Sequence, residues 1–256
     1  MSFKNKVIVI TGAAGGIGTA VVKKLAKEEA KLVLVDINEE ELVKLVSNLN
    51  LKESDYLLVP TDVSKEEQVE NYVIKTVSKF GRIDAFVNNA GVEGSVNSII
   101  DTEEKDLDFV LNINVKGVYF GLKYVLPLMI AQREGSVVNT SSVAGFIGVV
   151  GMAPYIASKH AVLGITKTAA IEVGPYGIPV NAICPGPVDN RMMRSIEEKS
   201  LPDAPLEVKN AFEKDIPLGR YATNEEVADL ICFLISDKAK YISGEAFRID
   251  GGMAAK

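Results

Sequence analysis

Cysteine is nearly missing: the 256 residues contain two, Cys184 and Cys232, each in apolar surroundings and with no C-x-x-C spacing. A disulfide framework is thereby excluded, a cysteine zinc site lacks its ligands, and no metal is expected. An excess of positive charge is missing too. Net charge is −6 at pH 7 and the pI is near 5.1, so the basic surface that a nucleic-acid partner needs is not there. No run approaches the roughly 18 uninterrupted apolar residues of a membrane span. The opening MSFKNKVIVITG has neither the long apolar stretch nor the small-residue cleavage site of a secretory signal. Linkers, composition shifts, internal repeats and low-complexity tracts are absent as well. These absences point to a cytoplasmic enzyme or binding protein, one domain over 1–256, with a small-molecule partner and neither nucleic acid nor membrane.

What is present is a regular alternation. VIVI (7–10), KLVLV (31–35), YLLV (56–59), IDAFV (83–87), SVVNT (136–140), IPVNAIC (178–184) and AFRID (246–250) have the β-branched content of strands. Several are apolar on both faces, as buried parallel strands must be. Helical patterns lie between them, at 16–29, 38–49, 65–79, 103–133 and 155–173, with 223–236 later. Strand and helix in alternation predict an α/β, doubly wound Rossmann fold: a single open parallel sheet of about seven strands with helices on both faces. The least regular region, 187–218, is rich in charge and proline and is expected to lie over a strand end as a substrate lid. In such sheets ligands bind at the carboxyl ends of the strands.

Candidate residues fall at those ends. TGAAGGIG (11–18) follows the first strand and opens the first helix, with Gly12, Gly16 and Gly18 around Ile17. A pyrophosphate needs close backbone approach and helix-start N–H groups, and glycine permits both. A tight turn that needs glycine only for packing is the alternative. Asp36 ends the second strand, 18 residues after Gly18, where a carboxylate can accept from both hydroxyls of an adenosine ribose. It would repel a ribose phosphate, and neighbouring Ile37 offers no cation, so NAD(H) is expected over NADP(H). The alternative for Asp36 is an N-cap for the helix starting near Asn38. Asp62 and Val63 repeat the arrangement after strand three, near an adenine, unless Asp62 only caps the helix from Ser64. After strand four comes NNAG, with Asn89, Ala90 and Gly91, and after strand five NTSSVAG (139–145).

The stretch YIASKH sets Tyr155 four residues before Lys159, but Tyr-x-x-x-Lys/Arg is expected about once by chance in this composition. A competing pair exists at Tyr119 and Lys123. Taken together, TGAAGGIG, NNAG, Asn114 in NVKG, Ser142 in SSVAG, YIASK and PGPV (185–188) resemble the short-chain dehydrogenase/reductase family, in its order and over nearly the whole chain. Ser142 precedes Tyr155 by 13 residues, the separation that family uses, whereas Asp106 stands 13 before Tyr119. His160, the only histidine, is expected to be a bystander.

Positions i and i+4 share a helix face, so Lys159 stands beside Tyr155. Lowering a phenol by roughly 3 pH units takes about 4 kcal/mol, and a nearby cation in a partly dry site could supply much of it. The resemblance implies that Tyr155 is the general acid/base and that Ser142 bonds the substrate oxygen. It implies that Lys159 binds the nicotinamide ribose and lowers the Tyr155 pKa, and that Asn114 holds a relay water. Pro185, Gly186 and Val188 would lie along the nicotinamide. Asn190 stands where many members carry threonine to bond the carboxamide, and its reach differs. The family is commonly homotetrameric through the helices at 103–133 and 155–173.

The substrate implied is a small alcohol or ketone. Met192 and Met193 could line an apolar pocket or fill gaps between helices; Arg191 and Arg194 could meet a carboxylate or phosphate or form solvated pairs. Two other readings fit the fold: an NAD(H)-binding sensor or scaffold without turnover, and a dehydratase or epimerase.

Overall fold

The computed structural model describes residues 2–255. Its strands are β1 (Val7–Thr11), β2 (Lys31–Asp36), β3 (Tyr56–Pro60), β4 (Ala85–Asn88), β5 (Val137–Thr140), β6 (Val180–Pro185) and β7 (Ala246–Ile249). All pair in parallel, in the order β3-β2-β1-β4-β5-β6-β7. The expected sheet is therefore the observed one.

Alternation along the central strands builds two cores. Ile8, Ile10, Leu32 and Leu34 point to one face, under α1 (Gly16–Lys27), α2 (Glu39–Leu49) and α9 (Asn224–Leu234). Val7, Val9, Val33 and Val35 point to the other, under α3 (Glu66–Phe80), α5 (Gly117–Gln132) and α6 (Ala153–Val173). With both faces covered, these strands need apolar residues at every position, which is why their sequences show no polar alternation. The order of strands reverses between β1 and β4, and the crevice outside their carboxyl ends is where such a sheet takes a ligand.

Three local expectations are corrected. The single helix at 103–133 is α4 (Glu104–Leu111) and α5 joined by a π-helical stretch, Asn112–Lys116. The wide turn falls on Asn114, a form of helix defect that recurs at functional sites. The irregular region 187–218 contains two helices, α7 (Arg191–Ser200) and α8 (Pro205–Asp215). Asn190 caps the first through Met192 N, and Pro205 opens the second at a position where a missing N–H costs nothing. Asp36 is not the cap of α2: Asn38 is, accepting from Glu41 N. Among the described residues no helix is long and apolar enough to cross a membrane, and no group of His, Cys, Asp or Glu could hold a metal.

Candidate active site

The glycine loop is fastened to the neighbouring strand ends. Thr11 Oγ1 accepts from Asn89 N at 2.9 Å and Ala90 N at 3.0 Å. Asn89 Nδ2 donates back to Thr11 O and Gly12 O, and Thr140 Oγ1 donates to Asn89 Oδ1 at 3.2 Å. Three strands, β1, β4 and β5, are thus tied at their carboxyl ends. Gly12 has φ +64°, and a Cβ there would sit 2.9 Å from Ala90 Cα, so backbone approach and conformation both require glycine.

Helix α1 follows with Gly15 as its N-cap and no side chain on its first N–H groups. Those donors, with Gly16 and Gly18 carrying no side chain and Ile17 packed against the core, fit an anionic diphosphate. Asp36 stands beside the loop, its Oδ2 accepting from Ala14 N at 3.0 Å and its Oδ1 from Asn38 N at 3.1 Å. Ile37 next to it is 73% exposed and brings no positive charge. Asp62 closes a turn by accepting from Ser64 N and Oγ, while Val63 is buried in the core under α5. At the far end, Pro185 closes β6, Gly186 N donates to Ile249 O, and Val188 bridges to Ala222. The Asn190 amide is engaged at both ends: Oδ1 caps α7 and Nδ2 donates to Asn224 Oδ1 at 3.1 Å. It nonetheless stands against the loop, since a Cβ on Gly16 would lie 3.0 Å from Asn190 Cβ.

Tyr155 and Lys159 occupy successive turns of α6, with the Lys159 ammonium 5.4 Å from the phenol ring centroid. Lys159 is buried and donates to Thr140 O at 3.0 Å. Ser142, just past β5, accepts from Ala144 N and donates to Pro185 O. Asn114, 1% exposed, grips Val92 by both backbone groups, at 2.8 and 2.9 Å, and donates to Ser158 Oγ at 3.0 Å. Ser158 Oγ in turn donates to Tyr155 O at 2.7 Å. The amide that expands the helix therefore connects the NNAG loop to the Tyr155 turn. Gly91 closes this layer: a Cβ there would lie 3.2 Å from Asn114 Oδ1 and 3.4 Å from Lys159 Nζ. Gly91→Ala is expected to push those groups apart and cost about tenfold in turnover, with thermal stability falling by about 1–3 kcal/mol for overpacking. Steady-state rates and melting curves check it.

Burial pushes the Tyr155 phenol up to about 12, against a lowering hydrogen bond from Ser142 and with a further upward push from the Glu93 charge. Burial also brings Lys159 down to about 8. Desolvation is the largest cause for both groups, and at Tyr155 it opposes the lowering that a neighbouring cation brings.

With this geometry in view, comparison with known proteins is informative. Residues 12–254 match a family model described as enoyl-(acyl carrier protein) reductase. The chain is 40% identical to levodione reductase of Leifsonia aquatica over 255 residues, covering 99% of this chain and 96% of that protein. It is 42% identical to 3-oxoacyl-[acyl-carrier-protein] reductase FabG of Thermotoga maritima over 256 residues, with 99% of each covered. It belongs to the short-chain dehydrogenase/reductase family. The crystal structure of levodione reductase superposes with a TM-score of 0.96, covering 99% of both chains. That of NAD+-bound xylitol dehydrogenase superposes with 0.94 at 35% identity, covering 98% of this chain and all of that one.

In this short-chain dehydrogenase/reductase the competing pair falls away from the crevice. Tyr119 is 57% exposed, and Lys123 pairs with Glu66 on α3. His160 is exposed, its Nδ1 against Ile156 O. Four site residues escaped sequence reasoning. Thr11 and Thr140 end their strands, a position that could have flagged them, and Ser158 sits inside YIASK. Glu93 carried no local signal. It accepts from Ser195 Oγ at 2.7 Å and Lys199 Nζ at 2.8 Å, both on α7 and both over a hundred residues away.

Proposed function

We propose that the protein is an NAD(H)-dependent oxidoreductase that interconverts a secondary alcohol and a ketone. One observation carries this reading: a phenol, a buried ammonium one helical turn on and a serine hydroxyl meet at the strand ends beside the glycine loop. Tyr155 is the general acid/base, giving its proton to the carbonyl oxygen in reduction and taking it back in oxidation. Ser142 donates to the same oxygen as charge develops there. Lys159 binds the nicotinamide ribose and steadies the phenolate once the proton has left. Asn114, through Ser158, holds the Tyr155 turn and places the relay water.

Gly12, Gly16, Ile17 and Gly18 would hold the pyrophosphate, Asp36 and Ile37 the adenosine ribose, and Asp62 and Val63 the adenine. Asn89, Ala90, Gly91, Pro185, Gly186, Val188 and Asn190 would hold the nicotinamide half. When bound, the nicotinamide supplies or accepts the hydride. The unpartnered α1 N-terminus and the Asp36 carboxylate fastened beside it support this fit, and Asp36 next to Ile37 supports NAD(H). A cytoplasmic, homotetrameric enzyme completes the reading. Its cysteines are free and buried, and Phe109, Tyr119 and Ile171 leave apolar surface exposed on α4, α5 and α6.

The test is nicotinamide absorbance across a panel of ketones and alcohols with each cofactor. NADH is expected to exceed NADPH by about tenfold or more in kcat/KM. Asp36→Ser removes a like-charge contact worth on the order of 1 kcal/mol or more, and should raise NADPH use by about tenfold. An unchanged cofactor preference in that variant would reject the role of Asp36, and net turnover of no substrate would reject the redox reading.

A further inference from the structure

Tyr155 is packed on one side by an apolar cluster drawn from distant parts of the chain. Met152 precedes α6, Met192 and Met193 begin α7, and Met253 follows β7. These are four of the six methionines in the sequence. Of the other two, Met129 is buried in the core under α5, and Met1 lies outside the described residues. Met253 is held in place by Asp250, whose carboxylate accepts from Gly252 N and Ala254 N at 3.0 Å each.

Several polar groups around this wall pair with one another, although Arg194 Nε and Nη2 have no hydrogen-bond partner among the described residues. Arg194 meets Asp189 at 3.2 Å and Glu197 at 2.9 Å, and Tyr221 Oη donates to Glu197 at 2.9 Å. Lys199 is taken by Glu93. A polyol or sugar entering here would leave its hydroxyls unpaired against thioethers and alkyl groups, which costs free energy for every group desolvated. An apolar body instead gains dispersion and sheds water, and unbranched polarisable methionine adapts to its shape.

On the redox reading of Tyr155 given above, we infer that the carbonyl substrate is a mainly apolar ketone whose body lies against the cluster of Met152, Met192, Met193 and Met253. Two measurements on the full-length protein test this. The first is kcat/KM for methyl ketones lengthened one methylene at a time, beside dihydroxyacetone. The expected result is a rise of about fourfold per methylene until the wall is covered, with the hydroxylated ketone slower than butanone. A flat or falling series, or faster turnover of dihydroxyacetone, overturns the inference.

The second needs no turnover. In NMR spectra of isotope-labelled methionine methyl groups, assigned by single Met→Leu variants, octanone added to the cofactor-loaded protein should shift the four wall signals and leave Met129 alone. Xylitol should shift none of them. Wall signals unmoved by octanone, or moved by xylitol, overturn the inference. Octanone shifts without turnover of any substrate would uphold the wall and reject the redox reading, so the two fail separately.

Discussion

Tyr155→Phe is expected to lose about 10²- to 10⁴-fold in turnover while cofactor affinity stays within about twofold. The substitution removes one oxygen and leaves the ring, so its packing against the cluster that contains Met152 and Met193 persists. Neither Ser142 nor His160 can replace the proton. Ser142 Oγ is oriented by Ala144 N and Pro185 O, and His160 faces solvent. The pH dependence follows from the direction of the shift. With the phenol raised to about 12, its proton is present throughout the neutral range. Reduction can use it as it stands, whereas oxidation must first remove it, so the oxidation rate should climb with pH until the phenolate forms. Stopped-flow rates in both directions, with fluorescence titration of NADH, check these points. Turnover undiminished by the substitution would remove Tyr155 from the mechanism.

Lys159→Met is expected to abolish most turnover, by about 10²-fold or more, and yet to stabilise the protein. The ammonium is 4% exposed with Thr140 O as its one hydrogen-bond partner among the described residues. Burial lowers its pKa from 10.5 to about 8, a difference of about 3 kcal/mol that the folded protein forfeits at neutral pH. The sign is set by proton counts. Between about 8 and 10.5 the unfolded chain holds this proton and the folded chain does not, so stability from this group rises with pH across that window. Below it the full penalty applies. Methionine has no charge to desolvate, but it leaves Thr140 O without its donor, which returns about 1 kcal/mol. A net gain of about 1–3 kcal/mol, or several degrees in Tm, should appear near pH 7 and vanish by about pH 10.5. Melting curves over that range decide it. A variant less stable at all pH values would show that the ammonium is held better than its burial implies.

The two expectations share a cause. Desolvation moves the phenol and the ammonium in opposite directions, each toward its neutral form, and the protein accepts that cost at the one place where proton transfer needs a dry site. The i, i+4 spacing and the sign of the lysine imply a pull that lowers the phenol; the burial that opposes it is set by the fold. Spacing reports which groups meet; it says nothing of how much water is left around them.

Other residues divide in the same way. Asp36, Asn38 and Asp62 were all plausible helix caps from their positions alone. The structure assigned the cap of α2 to Asn38 and left Asp36 bound to the glycine loop, because Ala14 N comes within reach only once β1 and β2 are paired. Asn114 falls inside the stretch whose pattern predicts one uninterrupted helix, and the π-helical turn and the grip on Val92 occur at that residue. The region 187–218 reads as irregular because α8 buries no residue and the buried face of α7 includes a charged one, Glu197.

By itself the sequence determined the strand and helix alternation, the parallel sheet and the positions of the glycine loop and of the Tyr155 turn. Each of these is written in local periodicity or in residues a few positions apart, where backbone geometry is set by neighbours. Only the tertiary structure decided that Glu93 meets α7, that four methionines share one apolar cluster with Tyr155, and that burial pushes this phenol up. Those outcomes depend on contacts between distant segments and on the exclusion of water between them, neither of which any stretch of sequence carries on its own.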